Sequence, residues 1–322
     1  MSTRQNIRNN KTLAPLVKVR DWIMGVTGLF TLKATIKREL FYAKMRREDA
    51  KRKKQVARKI YEMPTGLIDK QVANGEIIVS LTSYCHRVTD MLPYMLYSML
   101  MQTELPHKIA VYLDEDNWND DALPPLLKEM QRIGVDFYYC EDLKSYKKLI
   151  PALRMFPNNP ILVCDDDFYY HPHYMKWILD AYRNSDGKTV IGSMASIPEK
   201  KCGKYLPYSQ WKSDKKVPAN LHMAFGSGNG TLFPPHIFDS EILKKEIFMK
   251  LSPTADDLWF WAMMERQNIK RMLLSHHGYG IHRVVDRIED FDVNNVDNLT
   301  LINVVQGKND QQLKALIEYY KL

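Results

Sequence analysis

Short apolar runs alternate with helix-like segments between residues 76 and 164, and this alternation constrains the fold more than any other feature. The runs have the length and composition of buried strands, at 76–81, 108–113, 135–140 and 160–164. Segments with apolar residues at helical spacing separate them, at 91–101, 121–132 and 146–155. Strands that alternate with helices over short connections are typical of parallel sheets. The pattern predicts an α/β fold with a mostly parallel, Rossmann-like sheet and helices on both faces.

The positive charge of the chain is concentrated at its N-terminal end. The net charge is +8, but residues 1–60 hold 17 Lys and Arg against 4 Asp and Glu, and the remaining residues hold 29 against 34. Residues 12–60 have helical periodicity, and Trp22, Val26, Leu29 and Phe30 form one apolar face. We therefore predict a basic helical N-terminal extension over residues 1–75 and one α/β domain over residues 76–322.

The basic extension has three interpretations. A basic helix with an apolar face can lie in the headgroup region of an anionic membrane, although the apolar run 22–32 is about half of the ~20 residues that a spanning helix needs. It can instead be a solvated arm that packs on the body or on a second subunit. Nucleic-acid binding is least favoured, because the mildly acidic body offers no basic stripe. We expect contact with the inner membrane surface through residues 1–60 and no nucleic-acid partner.

The spacing of the cysteines indicates the cellular compartment, and the absence of glycine-rich motifs argues against a dinucleotide cofactor. The four cysteines are far apart, without a C-x-x-C pair, which indicates free thiols in a reducing compartment. Asp21 and five basic residues precede the apolar run, unlike the order in a signal peptide. No glycine-rich dinucleotide or P-loop motif follows a predicted strand. We expect a cytoplasmic protein, peripheral on the inner membrane, without a dinucleotide cofactor.

Three aspartates follow the fully apolar run 161–164. Side chains alternate in an extended chain, so Asp165 and Asp167 should point one way and Asp166 the other. Two carboxylates on one side suit Mg²⁺ or Mn²⁺, with water and substrate phosphates as the remaining ligands. In the alternative interpretation, Asp167 caps the next helix, at about 173–182, and the other two face water.

Several modest motifs occur in a defined order along the body: V-S-L-T-S-Y at 79–84, M-L-M-Q-T at 99–103 before the strand 108–113, K-S-Y-K-K at 144–148, the triplet, D-D-L-W at 256–259 and N-D at 309–310. In this order they resemble bacterial GT-A-fold, family 2-like glycosyltransferases that build surface polysaccharides, over residues 76–312. The resemblance implies transfer of a sugar, with inversion, from a nucleotide-sugar donor to a polysaccharide or lipid-linked acceptor, with Mn²⁺ or Mg²⁺ as cofactor.

The resemblance also implies the donor-binding residues. It places the nucleotide base against Thr82, Ser83 and Tyr84, for which ordinary turn residues are the alternative. Cys85, His86 and Arg87 stand where the family often has prolines, so the nucleotide is not identified. Lys148 would meet the phosphates, or else lie in a solvated charged turn. Asp165 and Asp166 would contact the donor.

The acidic pair Asp256–Asp257 opens a predicted helix, at 258–266. By the resemblance it lies beside the acceptor, with Asp257 as the base that takes the proton of the acceptor hydroxyl. The alternative is a capping box formed by Thr254 and Asp257. His282 would join Asp165 and Asp167 as a metal ligand, as a late histidine does in some members, although a lone histidine is often structural.

Two further segments have weaker interpretations. Three glycines in the stretch 225–231 indicate close backbone approach or positive φ angles. The stretch would shape the acceptor side of the donor sugar, and a simple turn is the alternative. Trp211, Trp259 and Trp261 could stack on sugars, but such tryptophans usually lie in a core, and we assign them no role.

Two other functions compete with sugar transfer. A nucleotidyltransferase of the same fold would make an activated sugar, but such enzymes usually carry a glycine-rich basic loop after the first strand, and 81–84 contains no glycine. The other is a non-catalytic adaptor that binds a glycan or a membrane, in which replacement of Asp165 and Asp167 should change nothing.

Overall fold

The structure, a computed structural model, describes residues 29–68, 77–213, 222–274, 286–287, 303 and 307–322. The chain divides into two compact units, Met1–Lys54 and Gln55–Leu322. The described part of the first unit is helical and belongs to α1 (Leu29–Glu62), whose last residues lie in the second unit. Ile36 and Leu40 are exposed on it. No helix among the described residues is both long and apolar enough to cross a membrane.

The second unit contains the strands and the other helices. The strands are β1 (Ile78–Thr82), β2 (Lys108–Asp114), β3 (Asp136–Cys140), β4 (Ile161–Val163), β5 (Phe168–Tyr169), β6 (Val190–Gly192), β7 (Ala195–Ile197), β8 (Lys200–Lys201), β9 (Lys204–Tyr205), β10 (Lys212–Ser213), β11 (Ala224–Phe225), β12 (Thr231–Phe233), β13 (Arg271–Leu273) and β14 (Asp286–Arg287). The helices are α2 (Arg87–Asp90), α3 (Leu92–Leu100), α4 (Pro125–Ile133), α5 (Ile150–Met155), α6 (Tyr174–Arg183), α7 (Lys245–Leu251), α8 (Asp256–Arg266) and α9 (Lys308–Tyr320).

Seven of the described strands form the main sheet, in the order β13-β6-β12-β4-β1-β2-β3. The pairs β1–β2, β1–β4, β2–β3 and β13–β6 are parallel. Strand β12 is antiparallel to both of its neighbours, β4 and β6. The predicted α/β fold with a mostly parallel sheet is confirmed, and β12 is a reversed strand that the sequence pattern did not indicate.

Alternation along the strands builds a core on each face of this sheet. On β1, Val79 and Leu81 join the core cluster that contains α3, α4 and α6, and Ile78 joins the cluster that contains α5 and α8. Helices therefore cover both faces, as predicted. Val56, Ile60 and Ile68 also lie in the first cluster. The division of the chain at residue 75 stays a prediction.

Within the described residues, the predicted elements agree with the structure to within a few residues, with one exception. The expected helix 146–155 is a 3₁₀ helix, Lys144–Lys148, followed by α5. Pro151 lacks an N–H group, so an α-helix cannot continue through it with all its hydrogen bonds. Trp259 and Trp261 are fully buried, as expected for core tryptophans, and all four cysteines are free thiols. The helical segment predicted from residue 12, with Trp22 and Val26 on its apolar face, lies outside the described residues up to residue 28.

Candidate active site

A glycine turn meets the aspartate triplet at the carboxyl end of β4. Because β12 is antiparallel to β4 and Thr231 pairs with Val163, the turn before β12 lies against the residues after β4. The Asp165 N–H donates to the Gly228 carbonyl over 2.7 Å. A Cβ atom on Gly228 would lie 1.8 Å from the Asp165 carboxyl group. The close backbone approach predicted for this turn is confirmed, and glycine at 228 makes room for Asp165.

The three aspartates do not alternate as the extended chain predicted. Strand β4 ends at Val163, and Asp166 and Asp167 lie in a turn. As a result Asp166 and Asp167 share one cation, Arg87, whereas Asp165 pairs with Lys148. The simple alternation of an extended chain therefore does not hold for the triplet, and the joint role of Asp165 and Asp167 as metal ligands stays a prediction. The capping alternative is wrong, because His173 is the residue before α6 and Asp167 is buried beside Arg87.

Arg87 is a site residue that sequence reasoning missed. It opens α2, and its guanidinium binds Asp166 and lies 3.0 Å from an Asp167 oxygen. Burial by itself would lower the pKa of Arg87, but the two carboxylates raise it above its ordinary value. Burial raises the pKa of Asp166, and Arg87 and Ser83 oppose that rise. A basic residue just after the first strand was the available signal.

The predicted nucleotide-binding residues lie at the carboxyl end of β1. The Thr82 hydroxyl donates to the Tyr112 carbonyl over 2.7 Å, and the buried Ser83 hydroxyl donates to Asp166. Tyr84 is half-buried, and the Arg87 guanidinium lies 5.3 Å from the centre of its ring. These contacts bring Ser83 and Tyr84 next to the triplet. Their role in binding a nucleotide stays a prediction.

Lys148 connects the triplet to the acidic pair. Its side chain is buried, and its ammonium nitrogen lies 3.2 Å from an Asp165 oxygen and 3.1 Å from an Asp256 oxygen. Burial would lower the pKa of Lys148, but Asp165, Asp256 and Asp257 together raise it well above its ordinary value. The solvated turn considered as an alternative is wrong, since Lys148 is 5% exposed.

The acidic pair occupies the first turn of α8, where carboxylates are favoured by the helix dipole. Asp256 is buried, whereas Asp257 is half-buried. The capping-box alternative is wrong, because α8 begins at Asp256 after Ala255 and shows no side-chain cap. The Thr254 hydroxyl instead bonds to Asn303 and Gln312. Asp257 is therefore the more exposed residue of the pair.

The Asn309–Asp310 motif lies beside the loop that contains Tyr208, to which Asp310 is hydrogen-bonded. Asp310 accepts a hydrogen bond from the backbone N–H of Tyr208, whose ring packs 5.0 Å from that of Trp211. Burial raises the pKa of Tyr208 to about 12, and the charge of Asp257 adds to the rise. Helix α9 thereby fixes an aromatic residue in the electrostatic range of Asp257.

Among the described residues, several carboxylates cluster around two cations at this end of the sheet. Five carboxylates, those of Asp165, Asp166, Asp167, Asp256 and Asp257, are paired among the described residues with two cations, Arg87 and Lys148. Carboxylate oxygens are hard ligands, and Mg²⁺ is commonly bound by one or two carboxylates together with substrate phosphates, so this donor set fits Mg²⁺ or Mn²⁺. The described residues contain no group of three or more His, Cys, Asp or Glu arranged around one metal position, and His282 lies outside them.

Solved structures provide low-similarity matches. S. aureus TarS in complex with UDP-GlcNAc is 16% identical over 62% of this chain and 56% of that chain, with a TM-score of 0.40. The mannosyltransferase PcManGT from Pyrobaculum calidifontis, in complex with GDP-Man and Mn²⁺, is 13% identical over 67% and 59%, with a TM-score of 0.38. CMP:2-keto-3-deoxy-manno-octonic acid synthetase complexed with CTP is 10% identical over 62% and 89%, with a TM-score of 0.37.

The similarity to known proteins is partial. This chain spans 58% of the crystallised TarS 1-349, with a TM-score of 0.41. No protein-family model and no curated protein matches the chain. Identities and TM-scores of this size carry no argument, so the fold is described from the structure and the activity is inferred from the site residues. The matched structures are of a mannosyltransferase and of other proteins crystallised with nucleotides or nucleotide-sugars.

Proposed function

We propose that the protein is a metal-dependent glycosyltransferase of the GT-A type that moves a sugar from a nucleotide-sugar to a glycan or lipid-linked acceptor. The observation that carries the proposal is the convergence of two carboxylate groups, the triplet and the Asp256–Asp257 pair, on Lys148 at the carboxyl end of β4. In open α/β sheets, ligands bind at the carboxyl ends of the strands. The ordered motifs of the sequence support the same assignment.

The triplet would bind the donor. Asp165 and Asp167 would hold Mn²⁺ or Mg²⁺, and Asp165 is the more accessible, with 36% of its side chain exposed against 5% for Asp167. The cation, when bound, would neutralise the charge of the diphosphate leaving group. Asp166 fixes the Ser83 hydroxyl beside Tyr84, and the end of β1 would receive the nucleotide base. We keep His282 as a third metal ligand in this proposal.

Asp257 would act as the general base. An inverting transfer needs one base to take the proton of the acceptor hydroxyl as its oxygen attacks the anomeric carbon opposite the leaving diphosphate. The half-buried position of Asp257 supports this choice over Asp256, whose carboxylate is buried against Lys148. A single in-line displacement of this kind would invert the configuration of the anomeric carbon.

The basic N-terminal residues would bring the enzyme to its acceptor on the inner membrane surface. Residues 29–54 of α1 carry ten Lys and Arg against three Asp and Glu, and Ile36 and Leu40 are exposed among them. Each basic residue near an anionic surface adds about 1 kcal/mol to binding. The proposed location is therefore the cytoplasm, peripheral on the inner membrane.

The experiment for the proposed activity is donor turnover. Purified protein is incubated with Mn²⁺ and a panel of UDP- and GDP-sugars, and the released nucleoside diphosphate is measured. We expect release from at least one donor, and a loss of at least about 100-fold in Asp257→Asn, because proton transfer contributes 10²–10⁴-fold. Release of pyrophosphate from a nucleoside triphosphate and a sugar phosphate would instead identify a nucleotidyltransferase, and no turnover of either kind would favour the adaptor.

A further inference from the structure

We propose that Lys148 is a positioning residue that holds the metal-binding turn and the start of α8 at a fixed separation, and that it does not contact the donor phosphates. The inference rests on the proposed function, because it assigns Asp165 to the donor and Asp257 to the acceptor. It differs from the phosphate contact that the sequence resemblance implies for Lys148. Three observations support it: the contacts of the Lys148 ammonium group, the hydrogen bonds that fix its backbone, and the charge of Asp256.

The ammonium group of Lys148 contacts two carboxylates. One nitrogen lies 3.2 Å from Asp165 and 3.1 Å from Asp256, so the two carboxylate oxygens cannot be further apart than the sum of these distances. Asp165 follows β4 and Asp256 opens α8, and the chain between them is ninety residues long. Lys148 therefore joins two elements that are remote in sequence. A side chain that is 7% exposed has little surface left for a phosphate.

The backbone of Lys148 is fixed as well. Its carbonyl accepts a hydrogen bond from the buried Ser80 hydroxyl on β1 over 2.7 Å. The 3₁₀ helix that carries Lys148 places Tyr146 in the core, where the Tyr146 hydroxyl donates to the Ser252 carbonyl before α8. The Ser80 hydrogen bond thus fixes the backbone of Lys148 to the central sheet, and the Tyr146 hydrogen bond fixes the segment before α8 to the same 3₁₀ helix.

The buried carboxylate of Asp256 depends on the charge of Lys148. Asp256 is 6% exposed, and Lys148 is the cation that neutralises it among the described residues. Removal of one partner of a buried pair leaves an uncompensated charge, which strongly destabilises the local structure. The start of α8 would then move, and Asp257, the next residue, would move with it. A misplacement of about 1 Å in an active site can cost about 100-fold in rate.

Lys147 provides a matched control. It lies in the same 3₁₀ helix and its side chain is buried to a similar degree, but it pairs with Asp142 at 2.5 Å. Lys147→Met removes the same charge and the same length of polar side chain without touching the triplet or the acidic pair. Lys148→Met is compared with it, with Asp256→Asn and with the double variant Lys148→Met/Asp256→Asn.

The kinetic test uses a donor that the wild-type protein turns over. We expect Lys148→Met to lower kcat by about 100-fold while KM for the donor and Kd for UDP or GDP, measured with Mn²⁺, stay within about threefold of wild type. Lys147→Met should keep kcat within the same threefold. An increase of tenfold or more in KM and Kd at unchanged kcat would show a phosphate contact and overturn the proposal, as would equal losses of kcat in the two variants.

Thermal unfolding tests the bridge without a substrate. Asp256→Asn removes the charge that Lys148→Met leaves unpaired, so the double variant should lose less in Tm than the sum of the two single losses. Additive losses would overturn the proposal. A wild-type protein that turns over no donor, combined with non-additive losses, would overturn the proposed function while the bridge between Lys148 and Asp256 stands.

Discussion

The charges of the candidate site are paired between residues that are far apart in sequence. Arg87 and Asp166 are separated by 79 residues, and Lys148 joins Asp165 to Asp256. The sequence could single out Asp165, Asp166, Asp167 and Asp257, because carboxylates after an apolar strand or at a helix start are visible as local patterns. It could not predict which cation each would meet, since alternation applies only to extended chain and β4 ends at Val163.

Substitution of Gly228 tests whether the position of the Asp165 carboxylate matters for activity. Gly228→Ala would place a methyl group 1.8 Å from the Asp165 carboxyl group, which must then move. We expect donor turnover to fall by at least about 100-fold, because a displaced metal ligand misplaces the donor. Gly226→Ala, in the same turn, is the control, since its Cβ would meet the end of the Asn229 side chain at 2.9 Å. Equal turnover in the two variants would contradict the proposed role of Asp165.

Arg87 tests the electrostatics of the triplet. Arg87→Met leaves Asp166 and Asp167 without their shared cation, and loss of one partner of a buried pair costs about 3–5 kcal/mol. The free energy of unfolding, measured in urea, should show this loss at neutral pH.

The same variant should respond to pH. Burial raises the folded-state pKa of Asp166 above its unfolded value, so the folded state binds the proton more tightly, and stability falls as the pH rises through the raised pKa. Removing Arg87 raises that pKa further. The loss in Arg87→Met should therefore be smaller at about pH 5 than at about pH 8, and an equal loss at both would contradict the assignment.

At the scale of elements, strands and helices could be predicted where apolar residues repeat at one spacing over a long enough segment. The strands 108–113 and 135–140 agree with β2 and β3 to within a residue at each end. Strand β12 could not be predicted to run antiparallel, because three residues after a glycine turn carry no signal of direction. Yet its reversal brings the glycine turn to the triplet, so the site depends on an element that the sequence left unspecified.

Helix α8 offers a test of its packing through two buried tryptophans. The Trp259 indole N–H donates to the Ile242 carbonyl over 3.2 Å, whereas no acceptor for the Trp261 indole N–H occurs in the described part of the chain. Both substitutions to Phe remove similar volume. Trp259→Phe should therefore lower the free energy of unfolding by about 1 kcal/mol more than Trp261→Phe, as measured in urea. The reverse order would contradict the hydrogen-bond assignment.

At the scale of the whole molecule, the N-terminal residues are basic and the body is mildly acidic. Deletion of residues 1–54 removes the first unit and leaves Val56 and Ile60 in the core of the second. We expect the deletion to abolish sedimentation with anionic vesicles, and the binding of the full chain to weaken as salt is added. Ile36→Ser/Leu40→Ser tests the apolar contribution at unchanged charge. Unchanged sedimentation of the deletion variant would reject the membrane proposal.

The most direct test of the central claim is a thermal-unfolding measurement with UDP and GDP, each with and without Mn²⁺, on wild type and Asp165→Asn. A ligand at 100 times its Kd stabilises the folded state by about 2.7 kcal/mol. We predict an increase in Tm of wild type with one of the nucleotides only when Mn²⁺ is present, and no such increase in Asp165→Asn. A wild-type Tm that responds to neither nucleotide, or an equal increase in Asp165→Asn, would contradict a metal-dependent nucleotide-sugar site at the aspartate triplet.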